Sequence, residues 1–320
     1  MIFGALLSLT SAFSFAVNSI LVRRGIAGAG ATAAQGALIT VVLGVPFGFV
    51  AVLATGQVLR FGEVSPMGYL LLFGAGVVHF VIGRYCNYRA IGAIGASRSS
   101  PLQSFATPYS ILMAVILLDE AVTPLMLVAI GLVLVAPTIM IERRPRTPAP
   151  APAPARPGRG TSTPPAQALE LRQLEGYIFA ALAGVAYGTS PLFIRAALAD
   201  ATRTAAIGTF VAYVGAAAVL LATMALPGRR QLMRSINVYY MRLFGGAAFS
   251  VFFAQLLRFF ALSMADVIVV APLQRMVGVF TIVLTYLVNR SFETLTWRVG
   301  LGVLVSVSAS ALLIYAASTS

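Results

Sequence analysis

Long apolar blocks separated by short polar segments run along almost the whole chain. Leu, Ala and Val recur in blocks of roughly twenty residues, the length that an α-helix needs to cross a bilayer core about 30 Å thick. Windows of this width predict ten membrane helices, at approximately residues 3–22, 33–55, 67–88, 94–118, 123–141, 175–195, 204–226, 238–262, 266–288 and 295–316. The first block has no basic residues before it, so we expect a retained membrane helix and not a cleaved signal peptide.

One segment between the fifth and sixth predicted helices departs from this pattern. Residues 142–172 hold eight of the 17 prolines, among them the Pro-Ala alternation of residues 148–154. Such a segment has no apolar face to bury and favours extended polyproline geometry. We therefore predict a first five-helix unit at residues 1–141, a linker outside the membrane at 142–174 and a second five-helix unit at 175–320.

The two units resemble each other in sequence. Gly4–Gly25 aligns with Gly176–Ala197 at an offset of 172, and Ser99–Ser104 aligns with Val270–Arg275 at an offset of 171. Because five helices is an odd number, the second unit must lie in the membrane upside down relative to the first. Inverted repeats with a site at their interface are typical of secondary transporters. The predicted fold is an all-α integral membrane protein of ten transmembrane helices, arranged as two inverted five-helix repeats.

Composition agrees with a membrane protein and limits the function classes. Of the 320 residues, 59% are hydrophobic and 10% are charged, and the mean hydropathy is +0.92. A soluble domain has about 25% charged residues, so this balance excludes a soluble enzyme and a nucleic-acid-binding domain. One cysteine and one histidine exclude an intramolecular disulfide and a zinc cluster. We expect no cofactor, no metal and no nucleic-acid partner.

Two stretches resemble a known transporter family. Asn18 lies near the end of the first predicted helix, and Asn87–Thr123 reads NYRAIGAIGASRSSPLQSFATPYSILMAVILLDEAVT, with Pro108 inside the fourth helix and Glu120 at its exit. These features resemble the EamA type of the drug/metabolite transporter superfamily, and the second unit keeps the pattern less well. The resemblance covers both units and implies a transporter in which the third, fourth, eighth and ninth helices line a central cavity.

The predicted third, fourth, eighth and ninth helices contain Arg84, Arg98, Arg258 and Arg275. A charged side chain at bilayer depth costs about 2.5 kcal/mol or more, which favours a functional interpretation. The repeat alignment pairs Arg84 with Gln255 and Asn87 with Arg258. Each unit thus carries one arginine and one amide, three residues apart on one face of the equivalent helix.

We predict a positively charged, amide-rich pocket for an anionic substrate, because guanidinium groups suit carboxylate, sulfonate or phosphate. The alternative is that some of these arginines reach the membrane interface or cap helix C-termini. His79 has two interpretations as well, a proton carrier or a histidine that is simply hydrogen-bonded. The predicted substrate-binding residues are Arg84, Asn87, Gln103, Gln255, Arg258, Gln274, Arg275, Asn18 and Tyr88.

The sequence favours a secondary transporter, an exporter or exchanger, that moves a small organic anion or zwitterionic metabolite by alternating access. There is no Walker motif, so we expect no direct use of ATP by this chain. A lipid-carrier flippase and a non-transporting membrane subunit of the same fold stay open as alternatives. A membrane-embedded enzyme is disfavoured, because the predicted helices contain no catalytic pair of residues. We expect a multi-pass, monomeric protein of the bacterial inner (plasma) membrane, with the lipid bilayer and a small molecule as partners.

Charge gives one indication of orientation. The net charge is +13, and all 22 basic residues are arginine. About 15 arginines fall in the loops on one side and about three on the other, so the positive-inside rule places the linker in the cytoplasm and both termini outside. The family resemblance implies cytoplasmic termini instead, and the two indications remain in conflict.

Overall fold

This computed structural model describes residues 1–29, 33–94, 105–139, 166–199, 201–224, 238–288 and 297–319, and the regular elements within them are all helices. The first unit contains α1 (Ile2–Ala29), α2 (Ala33–Ala54), α3 (Pro66–Gly76), α4 (Arg84–Ile94), α5 (Ala106–Leu118) and α6 (Pro124–Ile139). The second contains α7 (Ala166–Leu198), α8 (Ala205–Met224), α9 (Val238–Met264), α10 (Val267–Leu273), α11 (Met276–Val288) and α12 (Trp297–Thr319). A π-helical segment, Val77–Gly83, joins α3 to α4.

Six helices in the described residues are long and apolar enough to cross a bilayer, by length and composition. They are Gln35–Ala54, Pro66–Asn87, Gln173–Leu198, Ala205–Thr223, Phe244–Met264 and Gly300–Thr319. Shorter apolar helices lie at Ile2–Asn18, Ala106–Leu118, Pro124–Val135 and Val267–Thr281. The predicted all-helical architecture is confirmed over the described residues, whereas the count of ten membrane helices stays a prediction.

Local chemistry explains where several helices begin and end. The Ser65 hydroxyl accepts a hydrogen bond of 3.0 Å from the Gly68 N–H, and Pro66 occupies the first helical position, so α3 begins here. Asp119 ends α5 in a left-handed conformation, with φ of 52°. Pro272 lies inside α10 and has no N–H to continue the helical hydrogen bonds. The chain turns at Gln274 before α11 begins, so the predicted ninth helix is interrupted.

Small residues line the contacts between the two units. The Ser11 hydroxyl on α1 donates to the Ala254 carbonyl on α9 at 2.6 Å. A Cβ added to Gly76, at the end of α3, would lie 1.9 Å from the Ala212 carbonyl oxygen on α8. Such close approach of backbones is how membrane helices pack, because lipid provides no hydrophobic drive for their association. The interface between the units is therefore tightly packed.

The predicted linker of residues 142–174 lies largely outside the described residues. Within it, α7 begins at Ala166, although the apolar part of this helix begins only at Gln173. The division into two units and a linker stays a prediction.

Candidate functional site

A polar cluster surrounds His79, inside the apolar stretch Pro66–Asn87. The His79 Nδ1 atom lies 3.4 Å from a terminal guanidinium nitrogen of Arg258, and its Nε2 atom lies 3.2 Å from the side-chain amide nitrogen of Gln255. Gln255 and Arg258 are three residues apart on α9 and thus share one face of that helix. Both are buried, with 1% and 6% of their surfaces exposed. This cluster joins the two units by side-chain hydrogen bonds.

The partners of His79 determine its tautomer. Arginine only donates hydrogen bonds, so Nδ1 must accept from Arg258. A neutral imidazole that accepts at Nδ1 carries its proton at Nε2, and Nε2–H must then donate to Gln255. An amide nitrogen also only donates, so this tautomer requires the Gln255 amide to be turned over, with its oxygen in the place of the nitrogen that lies 3.2 Å from the ring. The two amide orientations have nearly the same shape, and the hydrogen-bond network decides between them.

The backbone around His79 is a π-helical segment, Val77–Gly83. Wider π turns are rare and occur frequently at functional sites. Gly83 ends the segment at a close contact, because a Cβ there would lie 2.7 Å from the ring of Tyr187 on α7. The same tyrosine ring lies 5.0 Å from the imidazole of His79, measured between centroids. The π segment thus places His79 between α7 and α9.

Arg84 follows the π segment and faces α2. Its guanidinium donates to the Thr40 hydroxyl at 3.0 Å and lies over the Phe80 ring, 5.1 Å from the centroid. The Phe80 ring packs in turn on Tyr213 of α8, with centroids 4.6 Å apart. The buried Tyr213 hydroxyl has no hydrogen-bond partner among the described residues.

Arg275 adds a further positive charge near Arg258. It lies at the interruption between α10 and α11, and its Nε donates to the Thr107 hydroxyl on α5. It is near enough to Arg258 for the two charges to repel each other. None of the carboxylates whose positions are described pairs with Arg84, Arg258 or Arg275, since their ion pairs are with Arg60, Arg89 and Arg195.

The other predicted binding residues lie in different settings. The Gln274 amide donates to both the carbonyl and the hydroxyl of Ser8 on α1, at 3.0 and 3.1 Å. The buried Asn18 Oδ1 has no partner in the described part of the chain. Asn87 lies on α4, three residues after Arg84. Gln103 and the side chain of Tyr88 are outside the described residues. The binding role of all nine residues stays a prediction.

A second polar cluster lies where α5, α7 and α10 meet. Both oxygens of Glu120, which follows α5, accept hydrogen bonds from the N–H groups of Val267 and Ile268, at 2.8 and 2.9 Å. Arg195, in the last turn of α7, donates to Asp266 at 2.7 Å and lies 4.0 Å from Glu120. Part of a cavity of about 260 Å³ is lined by these three side chains.

The Glu120 carboxyl of this second cluster has a shifted pKa. Burial raises the pKa of the Glu120 carboxyl above its ordinary value of 4.5. The neighbouring charge of Asp266 adds to this, whereas the two backbone N–H groups and Arg195 act in the opposite direction. The carboxylate holds the first turn of α10 in place, so its charge state and the position of α10 are linked.

Comparison with known proteins agrees with this architecture. One solved structure, described only as the crystal structure of a protein, is 14% identical and superposes with a TM-score of 0.70. The match covers 99% of this chain and 98% of the other, which shows a common fold. No curated protein matches the sequence. The model of the EamA-like transporter family matches residues 2–141 and, a second time, residues 174–315.

The two family matches show the internal repeat and confirm the resemblance found in the sequence. Together with the apolar helices, they identify a multi-pass integral membrane protein of a transporter superfamily. The chain belongs to the EamA-like transporter family.

Proposed function

We propose that this protein is a secondary transporter that moves a small organic anion or zwitterionic metabolite across the membrane, as an exporter or exchanger. The observation that carries the proposal is a group of three arginines, Arg84, Arg258 and Arg275, that have no carboxylate partner among the described residues. They lie between the two units, where transporters built from inverted repeats bind their substrates.

The cost of burying Arg258 supports an anionic ligand. This side chain is 6% exposed, and its Nε has no hydrogen-bond partner in the described part of the chain. An unpaired buried charge is strongly destabilising, and a bound anion supplies the missing counter-charge. Guanidinium N–H groups donate in a planar fork that fits a carboxylate or phosphate. A cation in the same place would be repelled.

Alternating access follows from the proposed inverted repeat. The two units exchange roles when one unit rocks against the other, which opens the site first to one side and then to the other. The Glu120–Arg195–Asp266 cluster joins α7 to the beginning of α10. In this proposal it is one of the contacts that seal an end of the bundle, and it must rearrange when that end opens.

Uptake by proteoliposomes tests the substrate class. The probes are lactate, glutamate and glycerol phosphate as anions and zwitterions, and putrescine and tetraphenylphosphonium as cations. We expect saturable uptake of at least one probe of the first group and none of the cations. Uptake of the cations alone would contradict the proposal, and so would translocation of a lipid probe without solute uptake, the result expected of a flippase.

A further inference from the structure

We infer that His79 takes up a proton when an anion binds at Arg258, so that anion and proton cross the membrane together. This inference rests on the proposed function, because it requires an anion at Arg258. It adds the identity of the coupling ion, which nothing in the family membership specifies. The geometry that carries it is the single hydrogen bond between a histidine of one unit and an arginine of the other.

The hydrogen bonds of His79 leave no free lone pair for a second proton. Its Nδ1 lone pair accepts from Arg258. With the Gln255 amide turned so that its oxygen faces the ring, Nε2–H donates to that oxygen. The charged groups that face the ring are Arg258 on α9 and Arg84 on α4, and both repel a positive imidazolium. Tyr187 on α7 and Phe80 on the π segment contribute aromatic rings and no counter-charge.

A bound anion changes both the hydrogen bonding of His79 and the charge around it. When Arg258 turns its N–H groups to the anion, the Nδ1 lone pair of His79 is released and can bind a proton from water. The negative charge of the anion then offsets the charge of the imidazolium. Nε2–H keeps its bond to the Gln255 oxygen in both states, so the ring need not move. One N–H bond forms at Nδ1, no bond of the substrate changes, and a monovalent anion crosses with no net charge.

Thermodynamic linkage makes this coupling measurable. If anion binding favours protonation of His79, protonation favours anion binding by the same factor. When one proton accompanies each anion, the Kd for the anion rises about tenfold for each pH unit above the range in which the free ring titrates, as far as the pKa of the ring in the complex. The charge of the arginines does not change in this range, so they contribute no such slope.

The test combines binding and proton uptake in the purified full chain. The anion that is taken up from the panel of lactate, glutamate and glycerol phosphate is titrated between about pH 6 and pH 8, the range of histidine titration. A pH dye in weakly buffered solution counts the protons. We expect about one proton per anion in the parent, and for His79→Gln, which keeps neutral donor and acceptor groups, anion binding with neither proton uptake nor a pH slope.

Each outcome decides between the two proposals. A parent that binds the anion without taking up a proton overturns the coupling and leaves the proposed function standing, as does a His79→Gln variant that still takes up a proton. If His79→Gln does not fold, the proton count of the parent decides alone. If none of the three anions binds the parent, the proposed function itself is contradicted.

Discussion

Glu120 and Val267 are 147 residues apart in the chain, yet the Glu120 carboxylate accepts a hydrogen bond of 2.8 Å from the Val267 backbone N–H. The adjacent N–H of Ile268 donates to the second carboxylate oxygen at 2.9 Å. One side chain of the first unit thus supports the first turn of α10 in the second unit. This helix precedes the interruption at which Arg275 lies, so the contact of Glu120 and the predicted binding region are connected through α10.

Loss of this carboxylate is expected to destabilise the protein. Glu120→Ala removes the acceptor of two buried N–H groups, and each hydrogen bond to a charged group is worth about 1.5–3 kcal/mol. We expect a loss of about 3–6 kcal/mol in the free energy of unfolding, measured by thermal or denaturant unfolding in detergent. Glu63→Ala is the matched control, because the exposed Arg60–Glu63 pair, at 3.5 Å, is worth about 1 kcal/mol or less. Equal losses in the two variants would contradict the structural role of Glu120.

The raised pKa of Glu120 predicts a pH dependence of stability. A folded state whose carboxyl pKa is raised binds the proton more tightly than the unfolded chain does. The stabilisation is therefore present below the ordinary pKa of 4.5 and is lost as the pH rises through the raised value. Glu120→Gln does not titrate. We expect the melting temperature of the parent minus that of Glu120→Gln to fall as the pH rises from 4.5 and then to level off. A difference that grows over this window would show that the pKa is lowered instead.

Gly76 lies so close to the backbone of α8 that we expect no side chain to fit there. A Cβ there would lie 1.9 Å from the Ala212 carbonyl oxygen and 2.6 Å from its carbon, and backbone atoms cannot rotate away. Overpacking of this kind costs about 1–3 kcal/mol or more. Gly131→Ala on α6 is the control, because nothing lies within 4 Å of its added Cβ.

We expect a lower melting temperature for Gly76→Ala and an equal or slightly higher one for Gly131→Ala, since alanine favours a helix over glycine by about 1 kcal/mol. A Gly76→Ala variant as stable as the parent would show that α3 and α8 are farther apart than described.

The sequence was sufficient to predict the all-helical architecture and to single out residues that the structure brings together, while the binding role of those residues stays a prediction. Hydropathy locates apolar helices because lipid requires long apolar segments, and the repeat alignment singles out Arg84, Gln255 and Arg258. The structure brings all three to His79. Thr40 and Thr107, which bind Arg84 and Arg275, were missed, because a threonine in an apolar helix usually bonds to its own backbone.

Contacts between distant segments account for most of what the sequence did not predict. Arg195 lies in the last turn of α7, where it bonds to Asp266, which is distant in the sequence. No helical periodicity of the sequence relates Glu120, Arg195 and Asp266, because each lies near the end of a different helix. Glu120 follows α5, Arg195 lies in the last turn of α7, and Asp266 precedes α10. The π segment at His79 likewise has no hydropathy signal, because one extra residue in a helical turn leaves an apolar stretch equally apolar.

The most direct test of the proposed anion site compares the initial rate of anion uptake into proteoliposomes by the parent, Arg258→Gln and Arg60→Gln. Both variants lose one positive charge, but Arg60 is paired with Glu63 outside the apolar helices, whereas Arg258 is buried in the His79 cluster. We predict that Arg258→Gln lowers uptake at least about tenfold, as expected for a lost charged hydrogen bond of about 1.5–3 kcal/mol, and that Arg60→Gln matches the parent. Equal uptake by the parent and by folded Arg258→Gln would contradict an anion site at Arg258.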